Sequence, residues 1–340
     1  MPEDLPALWR SSQWTAAADA WIADQVAADG RALTGPIEEV KVRFWSVVRS
    51  ASTDRGTVWF KCNAPSQSFE AALMAELDRL LPGRVPAVLG AYVETGWLLT
   101  ADVGDPMGDA VPEDDAEAAA EVAEVAAAWS DVQRRLVGHE AAMRRARVTS
   151  FEDWNAIPYA AALADRLASL PEGDGRRLDA EGRRLVEGGL RRLGEDAARL
   201  EASGIPESLE HNDLHLWNAM RRPQGITFID LGDAVWSHPF ASFRVLHWIM
   251  RSRLPFPPGS PEFERVIDAY LEPWTDLAPN AELRGLIPAA ERLSCLHRAE
   301  SWRRLLADVP VEVVEDEWLD TATYWLLAAC AEDPYAATRD

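Results

Sequence analysis

Asp213, Asn218 and Asp230 set out a carboxylate, an amide oxygen and a second carboxylate, the second five positions after the first and the third twelve after the second. Phosphoryl transfer uses such a set. One carboxylate orients the attacking hydroxyl, and an amide and a second carboxylate hold the magnesium ions that bridge the β- and γ-phosphates. Hard oxygen ligands suit Mg²⁺, whereas Cys or paired His would suit zinc, and no Cys lies near this stretch. Ile226-Thr227-Phe228-Ile229 reads as a short buried strand that delivers Asp230 at its end, with the flexible Gly232 just beyond. Taken singly, each residue could be a turn former or a helix cap. Together, behind a strand, they point to phosphoryl transfer.

The strings His211-Asn212-Asp213-Leu214-His215-Leu216-Trp217-Asn218 and Ile229-Asp230-Leu231-Gly232-Asp233 resemble the catalytic loop and metal-binding turn of the protein-kinase-like fold. They look most like the aminoglycoside phosphotransferase branch, with its H-G-D-L-H-x-x-N and I-D-x-G-D patterns. Asn212 stands where a small residue is usual, and Leu216-Trp217 replaces a common Pro-Gly pair. The resemblance spans about 36–240 and implies an α+β, two-lobed fold. A nucleotide-binding lobe with a small antiparallel sheet and one key helix would cover 1–101, and a hinge 102–106. A mainly helical lobe would cover 107–340, with the catalytic loop at 211–218, the metal turn at 230–233 and substrate-binding helices beyond. The same resemblance implies that Asp213 is catalytic and that Asn218 and Asp230 hold Mg²⁺. Lys61 would take the α- and β-phosphates, His211 would brace the loop, and the backbone of Thr100, Ala101 and Asp102 would line the purine pocket. Because backbone would read the base, ATP and GTP both stay open as donors.

The elements that must carry these residues can be traced in the chain. Residues 16–28 form an alanine-rich helix with Thr15 as cap and Gly30 as stop, and Trp14, Trp21 and Val26 are expected to dock on the small lobe. Residues 36–64 read as strands: Val40, Val42 and Phe44 alternate with polar partners, Trp45 to Arg49 continues extended, and Asp54-Arg55-Gly56 turns the chain into a strand over 57–61. No G-x-G-x-x-G precedes it. A helix over 66–81 is expected, capped by Ser66 or Ser68 and ended by Pro82-Gly83. Glu70 shares a stripe with Met74, Leu77 and Leu81, whereas Glu76 lies roughly 120° away. A carboxylate in an apolar stripe needs a cation, so Glu70 is expected to pair with Lys61. Strands at 85–89 and 96–101 complete the sheet and lead into the hinge.

Beyond the hinge the pattern is helical: a long core helix over 115–137, helices through 140–205, and helices at roughly 240–252, 261–272, 281–307 and 315–331. The arginines of 183–192 interleave with Glu and Leu and read as a solvated face. Glu272, Asp276, Glu282, Glu291, Glu300, Asp308 and Asp320 are the acidic candidates for the acceptor cleft. Trp248, Trp274, Trp302, Trp318 and Trp325 are expected in the core.

Composition narrows the class. Lys plus Arg number 34 against 56 Asp plus Glu, a net charge of −22 that disfavours nucleic acid and anionic lipid and favours a cationic small molecule. No apolar run reaches the roughly 18 residues of a membrane span, and the opening Met1-Pro2-Glu3-Asp4 does not read as a signal peptide. Cys62, Cys295 and Cys330 are few and dispersed, which argues for a reducing compartment, with the cytoplasm expected. No G-x-S-x-G elbow supports a hydrolase triad. A metal-hydrolase reading of H-x-D-x-H would leave Lys61, Asn218 and the Asp230 turn idle. The expected function is a Mg²⁺-dependent kinase moving the γ-phosphate of ATP or GTP to a hydroxyl of a cationic substrate such as an aminoglycoside. A metabolic kinase for choline, an amino sugar or another small alcohol, and a non-catalytic pseudokinase, are the alternatives. Monomer and homodimer are equally open.

Overall fold

The computed structural model describes residues 2–151 and 155–335. Met1, positions 152–154 within the expected helical stretch, and the last five residues lie outside it. Asp4 caps a short helix α1 (Leu5–Arg10), and Ser11 then accepts the Trp14 N–H to start α2 (Ser12–Ala28). Thr15 is therefore inside α2 rather than its cap: Ser11 lies where the chain leaves α1 extended, the geometry an N-cap needs. Gly30, at φ 71°, ends the helix as expected.

β1 (Leu33–Val42), β2 (Ser46–Thr53), β3 (Gly56–Asn63), β4 (Val88–Tyr92) and β5 (Trp97–Ala101) form an antiparallel sheet in the order β1-β2-β3-β5-β4. The expected continuous extension through Trp45 is broken. Arg43 N–H bonds to Ser46 O at 2.9 Å, so the chain reverses at 43–46 without glycine or proline. β1 is an exposed edge, with Val40 51% accessible, so the alternation seen in sequence marks no buried face there. The 85–89 strand is shifted to 88–92. Trp14 and Trp21 of α2 meet Phe60 and Trp97 of the sheet edge-on, with centroids 5.6 to 6.1 Å apart.

A 3-10 turn (Pro65–Gln67) precedes α3 (Glu70–Leu80), so neither Ser66 nor Ser68 caps that helix. Pro65 starts the tighter turn. Ser68 Oγ donates back to Pro65 O, and the Ser66 N–H donates to Asp308 Oδ2 at 2.8 Å.

The second lobe is built on α4 (Asp115–Leu136), capped by Asp114 and buried along Val122, Val125, Trp129, Val132 and Leu136. There follow α5 (Glu140–Arg145), β6 (Thr149–Ser150), α6 (Ala156–Ala168), α7 (Ala180–Ala202), β7 (Ser208–Glu210), β8 (Ala219–Arg222), β9 (Gly225–Phe228) and β10 (Val235–Ser237). β8 and β9 form a hairpin, and β6, β10 and β7 a small sheet. The chain closes with α8 (Phe243–Ser252), α9 (Pro261–Leu271), α10 (Asn280–Asp308), α11 (Asp316–Leu319) and α12 (Thr321–Cys330). Among the described residues no helix is long and apolar enough to cross a membrane.

Two buried clusters make up the core. One joins α3 to the helices of the second lobe. The other combines Leu5, Trp9, Phe44, Val58, Phe60 and Leu99 with Leu305, Leu306, Val309 and Ala322 from the far end of the chain. α10 thus contributes to both.

Candidate active site

β7 ends at Glu210 and the 211–218 loop follows at once. Glu210 is fully buried, receiving Ser294 Oγ at 2.8 Å and facing the His297 ring, both on α10. His211 packs edge-on against Trp129 at 5.0 Å, and burial holds its ring down to about pKa 4, so it is neutral at pH 7. It braces the loop from the core side. Asn212 takes a left-handed backbone at φ 61°, a conformation Asn tolerates better than most residues. Its amide donates to Asp233 O at 3.1 Å.

Asp213 is held from two sides. Arg298 Nη1 of α10 lies 3.1 Å from Oδ1 and His215 Nε2 3.4 Å from Oδ2. Burial pushes its carboxyl up, but the His215 and Arg298 charges outweigh that and hold it well below the usual carboxylate range. Burial works against the His215 imidazolium, yet Asp213 more than offsets it, and the ring sits above its ordinary value. Asn218 donates its amide to Asp213 O at 3.0 Å and approaches Asp213 Oδ2 at 3.4 Å and His215 Nε2 at 3.3 Å. Its Oδ1 takes no part in these contacts.

The β8–β9 hairpin sets the second carboxylate. Ala219 pairs with Phe228, and Ile229 N–H bonds to Asn218 O at 3.1 Å, so Asp230 emerges beside Asn218. Asp230 too is left-handed, at φ 62°. Its Oδ1 meets Lys61 Nζ at 2.5 Å, and Lys61 meets Glu70 Oε2 at 2.7 Å. Burial draws the Lys61 ammonium down, but Asp230 and Glu70 overcome it and leave it above its ordinary value. Asp230 is pushed up by burial and pulled further down by Lys61.

Glu70, 3% exposed, also accepts Leu231 N–H at 2.8 Å and Asn63 Nδ2 at 2.5 Å. One carboxylate therefore joins β3, α3 and the 230–233 turn. Glu76 pairs instead with Arg79 on the surface. Asp233 receives Gln67 Nε2 at 2.7 Å and Ser301 Oγ, and burial raises its carboxyl.

Asn218 Oδ1 and the second oxygen of Asp230 are two hard donors on adjacent segments. They suit Mg²⁺, which takes one or two protein oxygens with phosphates and water completing its shell. Among the described residues no three His, Cys, Asp or Glu side chains converge as a protein-only metal cage would require.

At the hinge, Thr100 is buried opposite Trp59, Ala101 N–H bonds to Ala87 O at 3.0 Å, and Asp102 N–H to Thr57 O at 3.2 Å. Asp102 Oδ1 also takes the Trp59 indole at 2.7 Å. These three residues are tied into the sheet, and two of their N–H groups are taken up by it.

Four of the acidic candidates are engaged elsewhere. Asp276 pairs with Arg134, Glu291 with His247 and Tyr335, Glu300 with Arg303 and Tyr159, and Asp308 with the Ser66 N–H. Of the tryptophans, Trp274 is fully buried, whereas Trp302 and Trp318 stack on each other at 5.2 Å and meet Trp45 of the β1–β2 turn. Sequence reasoning missed Arg298 and Ser301. Both belong to the inward face of α10, and helical periodicity alone does not say which loop that face meets.

The model of the phosphotransferase enzyme family matches residues 61–283. No curated protein matches the sequence. Among solved structures, an ethanolamine kinase of Plasmodium vivax aligns with TM-score 0.59 at 14% identity, over 89% of this chain and 83% of its own. A choline/ethanolamine kinase family protein from Mesorhizobium loti aligns at 0.58 and 18%, over 95% and 97%. A macrolide 2'-phosphotransferase type I aligns at 0.55 and 16%, over 93% and 97%. At these identities the likeness is one of fold. The family match runs from Lys61 through the catalytic loop and the Asp230 turn, and covers well over half of the chain. The chain therefore belongs to the phosphotransferase enzyme family, enzymes of the protein-kinase-like fold that move phosphate to a hydroxyl group of small molecules.

Proposed function

We propose that this protein transfers the γ-phosphoryl group of ATP or GTP to a hydroxyl of a small molecule, with Mg²⁺ held by Asn218 and Asp230. When bound, the ion supplies charge neutralisation between the β- and γ-phosphates. Lys61, fixed by Glu70, meets the α- and β-phosphates. Asp213 orients the acceptor hydroxyl and takes its proton late. A carboxylate held so far below its usual range is a weak base, which suffices because a loose transition state asks little of one. The observation that carries the reading is the convergence of β3, α3, the catalytic loop and the metal turn on Lys61, Glu70, Asp213, Asn218 and Asp230.

The net charge of −22 supports a cationic acceptor such as an aminoglycoside or another aminated antibiotic. The groups bordering Asp213 are Arg298 and His215, so an amine would sit away from the reacting hydroxyl. The free, buried Cys62, Cys295 and Cys330 support a reducing, cytoplasmic setting.

The test is ADP and GDP release with Mg²⁺ against aminoglycosides, macrolides, choline, ethanolamine, amino sugars and neutral sugars, with Asp213→Asn as control. Release that depends on one acceptor and vanishes in the control supports the reading and names the substrate class. A metabolic acceptor such as choline would move it from resistance to metabolism. Nucleotide binding with no release across the panel would favour a pseudokinase.

A further inference from the structure

Arg298 belongs to no motif of the family strings, yet among the described residues it is the one cation from outside the 211–218 loop that pairs with Asp213. Three contacts fix its guanidinium. Nη1 donates to Asn212 O and to Asp213 Oδ1, the latter at 3.1 Å, and the group lies over the Trp325 ring at 4.9 Å. Its side chain is 11% exposed. A buried cation is costly unless partners meet it, and here Nη1 meets two oxygens and the guanidinium plane an indole, while Nε is buried without a partner.

The loop needs such a grip. Asn212 is held at φ 61°, a left-handed conformation that is strained for a residue with a Cβ. Its side chain is tied to Asp233 O, and its carbonyl is tied to Arg298. Asp213 has His215 and Asn218 beside Oδ2, whereas Oδ1 has Arg298. Among the described residues Arg298 alone is bonded to Oδ1, and losing the guanidinium leaves that side of the carboxylate unheld.

We propose that Arg298 is a positioning residue. By holding the peptide oxygen before Asp213 and the Oδ1 of Asp213 together, it sets the carboxylate so that Oδ2 meets the acceptor hydroxyl. The kinetic part of this inference rests on the phosphotransferase reading, while the geometric part stands without it. α10 makes the grip firm, because the same helix anchors Glu210 through Ser294, Asp233 through Ser301 and the small lobe through Asp308. Lysine would be a poor substitute. Its ammonium is a point charge with no plane to lay on Trp325.

The test uses full-length Arg298→Ala and Arg298→Lys beside the wild type. Crystal structures of the three should show Asn212 leaving the left-handed region and the Asp213 carboxylate rotated in Arg298→Ala. Affinity for Mg·ATP and Mg·GTP should stay within about twofold. The kcat, with an acceptor from the panel or with water as acceptor, should fall about 100-fold, the scale of a 1 Å misplacement. Acceptor KM should move less than about threefold. Added guanidinium ion should restore about tenfold of the loss, and Arg298→Lys only a minor part, neither of which a merely structural defect would show. An Asp213 carboxylate unmoved in Arg298→Ala would overturn the proposal, as would a kcat within threefold of wild type or a loss no larger than the loss of folded protein. If the wild type turns over no nucleotide, the phosphotransferase reading fails and the structures alone decide the positioning claim. If Arg298→Ala does not fold, Arg298→Lys carries the same measurements.

Discussion

Trp45 meets Trp302 edge-on with ring centroids 6.1 Å apart, so the β1–β2 turn of the small lobe rests on the helix that carries Arg298 and Ser301. Phe44 and Trp318 complete the group, at 4.7 and 5.6 Å from Trp45. In place of a pliable glycine loop, this chain has an aromatic turn packed against the other lobe.

Trp302→Ala should cost about 2 kcal/mol of stability and weaken nucleotide binding about tenfold, because the turn loses its seat. Denaturant unfolding and Mg·ATP titration check this. An unchanged nucleotide affinity would separate the turn from the nucleotide site.

Glu70→Ala should remove a carboxylate that serves Lys61, Asn63 and the Leu231 N–H together. Breaking a buried pair of this kind costs about 3–5 kcal/mol, and Mg·nucleotide affinity should fall with it. Glu76→Ala, whose partner Arg79 is exposed, should change stability by less than about 1 kcal/mol. Equal losses in the two variants would contradict the assignment of Glu70.

Asp213→Asn and Asp230→Asn should separate chemistry from binding. The first should lower kcat about 1,000-fold with nucleotide affinity within twofold, while the second should weaken Mg²⁺-dependent nucleotide binding about 100-fold. Steady-state kinetics with isothermal titration decide. The same pattern from both would mean that the two carboxylates are not divided as proposed.

His238 is buried, its Nδ1 accepts the Phe240 N–H at 3.3 Å, and burial, with His297 adding, holds its ring down to about pKa 3. The unfolded ring titrates near 6.5. Above that pH both states are neutral. Below it the unfolded chain takes up a proton the folded ring refuses, and stability is lost progressively down to the folded value. His238→Asn keeps an acceptor for Phe240 without titrating. Between pH 7 and 5 the wild type should lose about 2 kcal/mol more than this variant in denaturant unfolding. Parallel losses would show that His238 is not held neutral.

The geometry of the 211–218 loop was readable because its residues are neighbours in the chain: Asp213 and Asn218 meet across a single turn, and a four-residue strand fixes where Asp230 emerges. Glu70 was readable because a carboxylate in an apolar stripe demands a cation. Arg298 was not, since eighty-five residues separate it from Asp213 and an arginine on a helix carries no local mark of its partner. The reversal at 43–46 was hidden because Phe44 and Trp45 are strong strand formers, and it is tertiary packing, not turn chemistry, that bends the chain there. Thr15 and the two serines failed as caps because the short helix before them and the 3-10 turn at Pro65 moved the helix starts.

The small lobe lies in the first hundred residues, yet Leu305, Leu306, Val309 and Ala322 belong to its buried cluster. During synthesis the sheet leaves the ribosome long before these residues exist. α1 and α2 can cover their share of the cluster at once, but the share that Leu305, Leu306, Val309 and Ala322 cover must wait until the last helices are made, and a chain truncated before α10 would leave that part of the cluster open.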